Sequence, residues 1–128
     1  MYIVRYSTKE KKSWTDNEPT VDVTKYLAWP RGYNYPVFIE VTEPNPTGRT
    51  KDVNLWFNDK DVQKFRYREV AVATVGALIS QFMTDEECQD PGMSSKLARA
   101  EIIDYEEEVK RVTKKEFPGY TFDHFEAS

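Results

Sequence analysis

A cluster of aromatic and basic residues at positions 26–36 is the part of the sequence best suited to chemistry, and that chemistry is binding. Prolines and a glycine recur through it and predict a loop. The loop carries four large side chains, Trp29, Arg31, Tyr33 and Tyr35. Trp, Tyr and Arg dominate binding hot spots because they supply a large contact area and a polar end. We expect a partner-binding site there; the alternative is that Trp29 and one tyrosine cover the end of a sheet.

A second cluster interleaves basic and aromatic side chains, as Lys64, Phe65, Arg66, Tyr67 and Arg68. In a single-stranded nucleic-acid site, cations follow the phosphates while rings stack on the bases, so this segment is the alternative nucleic-acid-binding site. The favoured interpretation is structural, since strict alternation is what a half-buried strand requires. It predicts that Phe65 and Tyr67 face the core and that the three cations are solvated.

Residues that usually carry catalysis or bind metals are scarce. The chain has one histidine, His124, and one cysteine, Cys88, which lies in an acidic run. Most nucleophilic, general-base and transition-metal chemistry combines such side chains on rigid elements, so the commonest kinds of enzyme are disfavoured. The 22 acidic residues show no recognisable catalytic or cation-binding spacing. We therefore predict no catalytic residue, no metal and no cofactor; an enzyme that works through carboxylates or tyrosines is the third alternative.

Charge is unevenly distributed along the chain. Residues 1–70 contain 12 Lys and Arg against 10 Asp and Glu, and residues 71–128 contain 6 against 12, which gives totals of 18 and 22 and a net charge of −4. The pI of about 5.1 argues against non-specific nucleic-acid binding, which needs a basic surface. The acidic content of residues 85–108 is interpreted as the solvated face of a helix, the usual role of a charge run, with phosphate mimicry or binding to a basic partner as the alternative.

Length and composition predict one domain over residues 1–128, with residues 120–128 as a tail. A single cysteine allows no internal disulfide, so the fold must depend on its hydrophobic core. No apolar run approaches the ~20 residues needed to cross a bilayer. The first residues lack the basic start and the apolar stretch of a signal peptide. We expect a reducing, cytoplasmic location.

The first half of the chain predicts β-strands. Residues 2–6 are rich in β-branched and aromatic side chains, as strands are, and the polar residues 7–20 predict a loop. Residues 21–23 fit either the start of a strand or a turn of helix. Alternating apolar residues at 37–43 and 51–57 flank a linker rich in turn-forming residues, which predicts an antiparallel hairpin.

The second half predicts helices. Residues 69–83 are apolar almost all round and too numerous for a typical strand. A longer amphipathic helix is predicted from about residue 96 to 116, with Ser94 or Ser95 as its N-cap. Its apolar stripe recurs at spacings of three and four, at Ala98, Ile102, Tyr105, Val109 and Val112. The pattern leaves open whether residues 59–68 form a strand or a helix.

These elements predict an α+β fold: an antiparallel sheet of three to five strands, mainly from residues 1–68, packed against two main α-helices from the C-terminal half. The predicted function is non-catalytic binding of a macromolecular partner, a protein before a nucleic acid. Inhibitors, immunity proteins and adaptors are the types of small protein that act in this way.

Overall fold

The computed structural model describes residues 1–11, 20–40, 59–87 and 89–116. These parts of the chain form a four-stranded antiparallel sheet and three α-helices, which confirms the predicted α+β class. The strands are β1 (Tyr2–Lys11), β2 (Thr20–Ala28), β3 (Val37–Glu40) and β4 (Glu101–Asp104), in the sheet order β3-β2-β1-β4. The helices are α1 (Arg68–Thr84), α2 (Pro91–Arg99) and α3 (Tyr105–Glu116), and a short 3-10 helix covers Asp59–Asp61.

The central strand β1 is buried on both faces of the sheet. Successive strand residues point to opposite faces, and Ile3 and Val4 are both fully buried. Ile3 belongs to a core cluster with Val109 and Val112 of α3. Val4 belongs to a second cluster that includes Ala71, Leu78 and Phe82 of α1 and Met93 and Leu97 of α2. The sheet therefore forms the middle of three layers.

Strand β1 is longer than its sequence predicts. The predicted loop 7–20 is wrong at both described ends, because Ser7–Lys11 continue β1 and Thr20 begins β2. Ser7 pairs with Thr24, and Lys9 pairs with Asp22. Ladder hydrogen bonds join backbone groups, so polar side chains do not prevent pairing. Residues 21–23, which the pattern left open, lie in β2.

The predicted hairpin is described only in part. Its first run contains β3, which pairs antiparallel with β2 from Lys25↔Glu40 to Ala28↔Val37. Residues 41–58, which include the second run, lie outside the described residues. The polypeptide rejoins the sheet at residue 62, between β1 and β2, where isolated bridges join Ala28 to Val62 and Tyr2 to Phe65.

The long helix predicted from residue 96 to 116 is wrong. Helix α2 ends at Arg99, and β4 separates it from α3. Ile102 and Ile103 pair with Val4 and Ile3 of β1 and pack half-buried on opposite faces. The positions of Ile102 and Ile103 fit both helical spacing and strand alternation. The strand is favoured because the free edge of β1 supplies backbone hydrogen-bond partners.

The helix termini also differ from the prediction. Helix α2 begins after Asp90, whose side chain accepts a hydrogen bond from the Met93 amide at 3.0 Å, and Pro91 occupies the first turn. Ser94, a predicted cap, is buried, and its hydroxyl donates to the Ile79 carbonyl at 2.8 Å. Helix α1 agrees with the predicted 69–83 to within one residue at each end. Within the described ranges no helix is both long and apolar enough to span a membrane.

Substitution of Leu97 tests whether α2 completes the core on its side of the sheet. Its side chain is 1% exposed. We expect Leu97→Ala to lower the free energy of unfolding by ~2–5 kcal/mol, because it removes buried methyl groups and leaves a cavity. The exposed neighbour Lys96 is the control, and Lys96→Ala should change the same quantity by no more than ~0.5 kcal/mol. Urea denaturation followed by circular dichroism measures both; equal losses would contradict the described packing.

Candidate functional site

The predicted binding loop connects β2 to β3 and projects aromatic side chains into solvent. Trp29 is 47% exposed and Tyr33 is 57% exposed. Arg31, between them, is exposed as well. Tyr35 is half-buried, and its ring meets the Phe82 ring edge-on at 6.3 Å between centroids. Three of the four predicted binding residues are thus accessible, while Tyr35 anchors the loop to α1.

Hydrogen bonds within the loop hold the exposed aromatic residues in place. The Tyr33 amide donates to the Pro30 carbonyl at 3.1 Å and closes a four-residue turn. Gly32 has φ = 90° at the third position of this turn, a conformation that glycine adopts without strain. The Trp29 indole Nε1 donates to the Tyr33 carbonyl at 2.8 Å across the same turn. The indole therefore braces the loop with its polar edge and leaves its remaining surface available for contact.

The base of the loop is attached to the segment before α1. The Trp29 amide donates to the Asp61 carbonyl, and the Gln63 amide donates to the Leu27 carbonyl, both at 2.9 Å. Leu27 itself is buried. The chain thus leaves the core at Trp29. Tyr35 covers the end of the sheet, as the alternative interpretation expects of one tyrosine. Trp29 and Tyr33 are exposed instead and do not take that role. The binding role of the loop stays a prediction.

The second cluster is divided between core and surface. Phe65 is buried, and its backbone exchanges two hydrogen bonds with Tyr2, at 2.7 and 2.8 Å. The Lys64 ammonium lies 5.1 Å from the centre of the Tyr105 ring. Arg66 and Arg68 are exposed, as predicted for the cations.

Tyr67 does not face the core as the alternation predicts. It is 55% exposed and is the N-cap residue of α1, with extended backbone angles. The strand-like pairing ends at Phe65, so alternation no longer decides which way the next side chains point. The Arg66 guanidinium lies 5.4 Å from the centre of the Tyr67 ring. An exposed aromatic ring therefore stands beside two exposed arginines.

A buried carboxylate that sequence reasoning missed connects α3 to the sheet. The Glu108 side chain is 1% exposed. It accepts hydrogen bonds from Arg5 Nη1 at 2.9 and 3.1 Å, from the Tyr26 hydroxyl at 3.0 Å and from Arg111 Nε. Arg5 Nη2 also donates to Glu101 at 2.7 Å. The four elements β1, β2, β4 and α3 are joined through this one network.

The charges of the network are fixed by its own contacts. Burial disfavours the ionised form of Glu108, but the hydrogen bonds from Arg111 and Arg5 outweigh burial and lower its pKa. Burial raises the pKa of Tyr26, and the Glu108 charge raises it further, so the phenol stays protonated and donates. Each of the two carboxylate oxygens of Glu108 accepts two hydrogen bonds. The network therefore suits a structural role and offers poor access for acid–base chemistry.

An open cleft lies beside the network, and the described residues that line it carry no excess of charge. It is lined by Arg5, Ser7, Thr8, Lys9, Asp22, Thr24 and Arg111. Arg5 and Arg111 are paired with Glu101 and Glu108, and Asp22 faces Lys9 across the ladder. Among its described lining residues, the cleft therefore has no surplus cation to attract an anionic ligand. Across the described residues, no group of three or more His, Cys, Asp or Glu is placed to hold a metal ion.

Comparison of the chain with known protein families, with curated protein sequences and with solved structures finds no match. The Trp29–Tyr33 turn and the Arg66–Arg68 segment are the two predicted sites with exposed aromatic and basic side chains.

Replacing the buried carboxylate tests its structural role. Glu108→Gln leaves two guanidinium groups without their shared anion, and we expect the free energy of unfolding to fall by ~2–4 kcal/mol. This is at the lower end for a buried pair because Arg111 is half-exposed. The control is Glu106→Gln in the same helix, where an exposed carboxylate pairs with the N-terminal ammonium at 3.2 Å. That change should cost less than ~1 kcal/mol.

Acid should weaken the folded state through the same group. Because the pKa of Glu108 is lower in the folded protein than its ordinary value, the unfolded chain binds the proton more readily. The stabilisation is fully present above the ordinary value of about 4.3, and it is lost as pH falls through the lower folded value. We expect urea stability to decline below about pH 5, and to decline less steeply in Glu108→Gln. Identical pH profiles would contradict the ionised carboxylate.

Proposed function

We propose that this protein is a non-catalytic binding protein whose partner is another protein, and that Trp29, Arg31 and Tyr33 form the centre of the interface. The observation that carries the proposal is the exposure of two large aromatic residues on a turn closed by its own hydrogen bonds. Exposure of neighbouring large aromatic side chains to water costs free energy, and a partner that covers them recovers it.

The braced turn favours tight association for an energetic reason. Binding costs conformational entropy when side chains and loops must become ordered. In this loop the Trp29 indole is already hydrogen-bonded and the Tyr35 ring is already packed on Phe82. Fewer side chains therefore lose conformational freedom when the partner binds, so more of the free energy of contact appears as affinity. Matured binding loops achieve the same advantage through rigid Tyr and Trp side chains.

A protein partner fits the charge of the chain better than a nucleic acid does. The net charge of −4 opposes approach to a polyphosphate, whereas an interface needs only local complementarity. The loop offers one cation, Arg31, between two aromatic rings, a mixture common at the centre of protein interfaces. We assign the protein to the inhibitor, immunity or adaptor type and propose a cytoplasmic location.

Single-stranded nucleic-acid binding is the second candidate because one observation favours it. Arg66, Tyr67 and Arg68 are all exposed, and a ring flanked by cations is the arrangement on which bases stack. Phe65, which the nucleic-acid hypothesis also included, is buried and cannot take part without unfolding the Tyr2–Phe65 bridge.

Paired variants of the two surfaces test which one binds. The full chain serves as bait in a lysate of its native host, and captured proteins are identified by mass spectrometry. We expect Arg31→Ala/Tyr33→Ala to lose the partner, with Kd raised at least ~30-fold, the ~2 kcal/mol that defines a hot spot. Its free energy of unfolding should change by no more than ~0.5 kcal/mol, because both side chains are exposed.

The matched control is Arg66→Ala/Tyr67→Ala. It also removes one arginine and one tyrosine, and Tyr67 is 55% exposed where Tyr33 is 57% exposed. This variant should retain the partner with unchanged affinity. Retention of the partner by Arg31→Ala/Tyr33→Ala, or its loss in the control alone, would refute the loop as the interface.

A direct assay separates the second candidate. We expect fluorescence anisotropy to detect no binding of single-stranded DNA or RNA with Kd below ~10 μM at physiological salt, because the two exposed arginines of this segment release few counterions. Tighter binding that weakens with added salt and disappears in Arg66→Glu/Arg68→Glu would favour nucleic acid over protein as the partner.

A further inference from the structure

Arg31 is the one charged residue between positions 26 and 39, in a chain of which 31% is charged. It is the second residue of the Pro30–Tyr33 turn, which the hydrogen bond between the end residues closes. Along the chain it stands between the exposed rings of Trp29 and Tyr33. A protein that covers these two rings therefore meets one cation in the middle of an otherwise uncharged loop.

The charge of Arg31 is not neutralised within the described residues. Other cations of the sheet have acidic partners: Arg5 pairs with the buried Glu108 at 2.9 Å, and Lys25 pairs with Glu10 at 3.0 Å. Over residues 1–11, 20–40, 59–87 and 89–116, no carboxylate forms an ion pair with Arg31. The guanidinium is exposed, so it is available to a carboxylate of another protein.

The hydrogen-bonding groups of the turn determine what the partner must supply. The indole of Trp29 gives its one donor to the Tyr33 carbonyl, so it presents only apolar surface to a partner. The guanidinium of Arg31 carries N–H donors and no acceptor. A partner that covers the rings also removes water from this group, and a buried cation is costly unless an anion neutralises it. A carboxylate matches a guanidinium in charge and in its paired hydrogen-bond geometry.

The charges around the base of the loop favour a single carboxylate over an acidic tract. The segment before α1 adjoins the base and adds no excess of positive charge, since Asp59 and Asp61 flank Lys60. The C-terminal end of α1 also contacts the base through an aromatic pair, and residues 86–87, which follow it, are exposed glutamates. A run of acidic residues would be repelled by these groups, whereas one carboxylate paired with Arg31 is locally complementary.

We propose that the partner presents to this loop one Asp or Glu side chain within an apolar patch. The carboxylate pairs with Arg31, and the apolar groups beside it are covered by Trp29 and Tyr33. This assignment rests on the proposed function, in which the loop is the centre of the interface, and it adds the chemistry of the surface that the loop binds.

Selection from a phage-displayed library of short random peptides tests this chemistry on the full chain. We expect the selected peptides to share one Asp or Glu flanked by large apolar residues. A synthetic selected peptide should bind at least tenfold more weakly to Arg31→Gln, and equally so when its own acid is replaced by the amide, because each change leaves the other charge unpaired in the contact. Arg31→Glu should select peptides with Lys or Arg at the same position.

The matched control is Arg66→Gln, which also removes an exposed arginine beside an exposed aromatic ring. It should bind the selected peptide as the wild type does, and circular dichroism melts confirm that each variant is folded. Peptides that lose binding in Tyr33→Ala but carry no acid, or carry an acidic run, would overturn the single carboxylate and leave the loop as the interface. Peptides insensitive to both Arg31→Gln and Tyr33→Ala, or no selected peptide at all, would count against the loop itself.

Discussion

Burial of β1 on both faces is the constraint on which the remaining structure depends. Ile3 and Val4 point in opposite directions and are each fully buried, so helices must cover both sides of the strand. The chain meets this demand by placing β4 on the edge of β1, which separates α2 from α3 and sends α3 to the opposite face. One unbroken helix over the same residues could not cover both faces.

In this three-layer arrangement the charged side chain of Arg5 lies between the sheet and α3, where it needs a partner of opposite charge. Arg5 shares the face of β1 that carries Ile3, and Tyr26 lies opposite it in the ladder. An isolated guanidinium there would be costly, and Glu108 neutralises it while Tyr26 and Arg111 complete the hydrogen bonds. The network fixes the position of α3 along the sheet. With the core established in this way, the exposed aromatic residues are not needed for packing.

The sequence predicts features that follow from local periodicity and misses those that depend on tertiary partners. The apolar run of α1 and the alternation in β3 need no partner to be recognised. Ile102 and Ile103 fit helix and strand equally, and only the edge of β1 decides between them. The charge pattern alone predicts that Glu108 belongs to a solvated acidic run. It nevertheless stands three residues after Tyr105 and four before Val112, within the apolar stripe, and this spacing was the available signal of its burial. Exposure of Trp29 and Tyr33 depends on where the chain leaves the core, which no local pattern encodes.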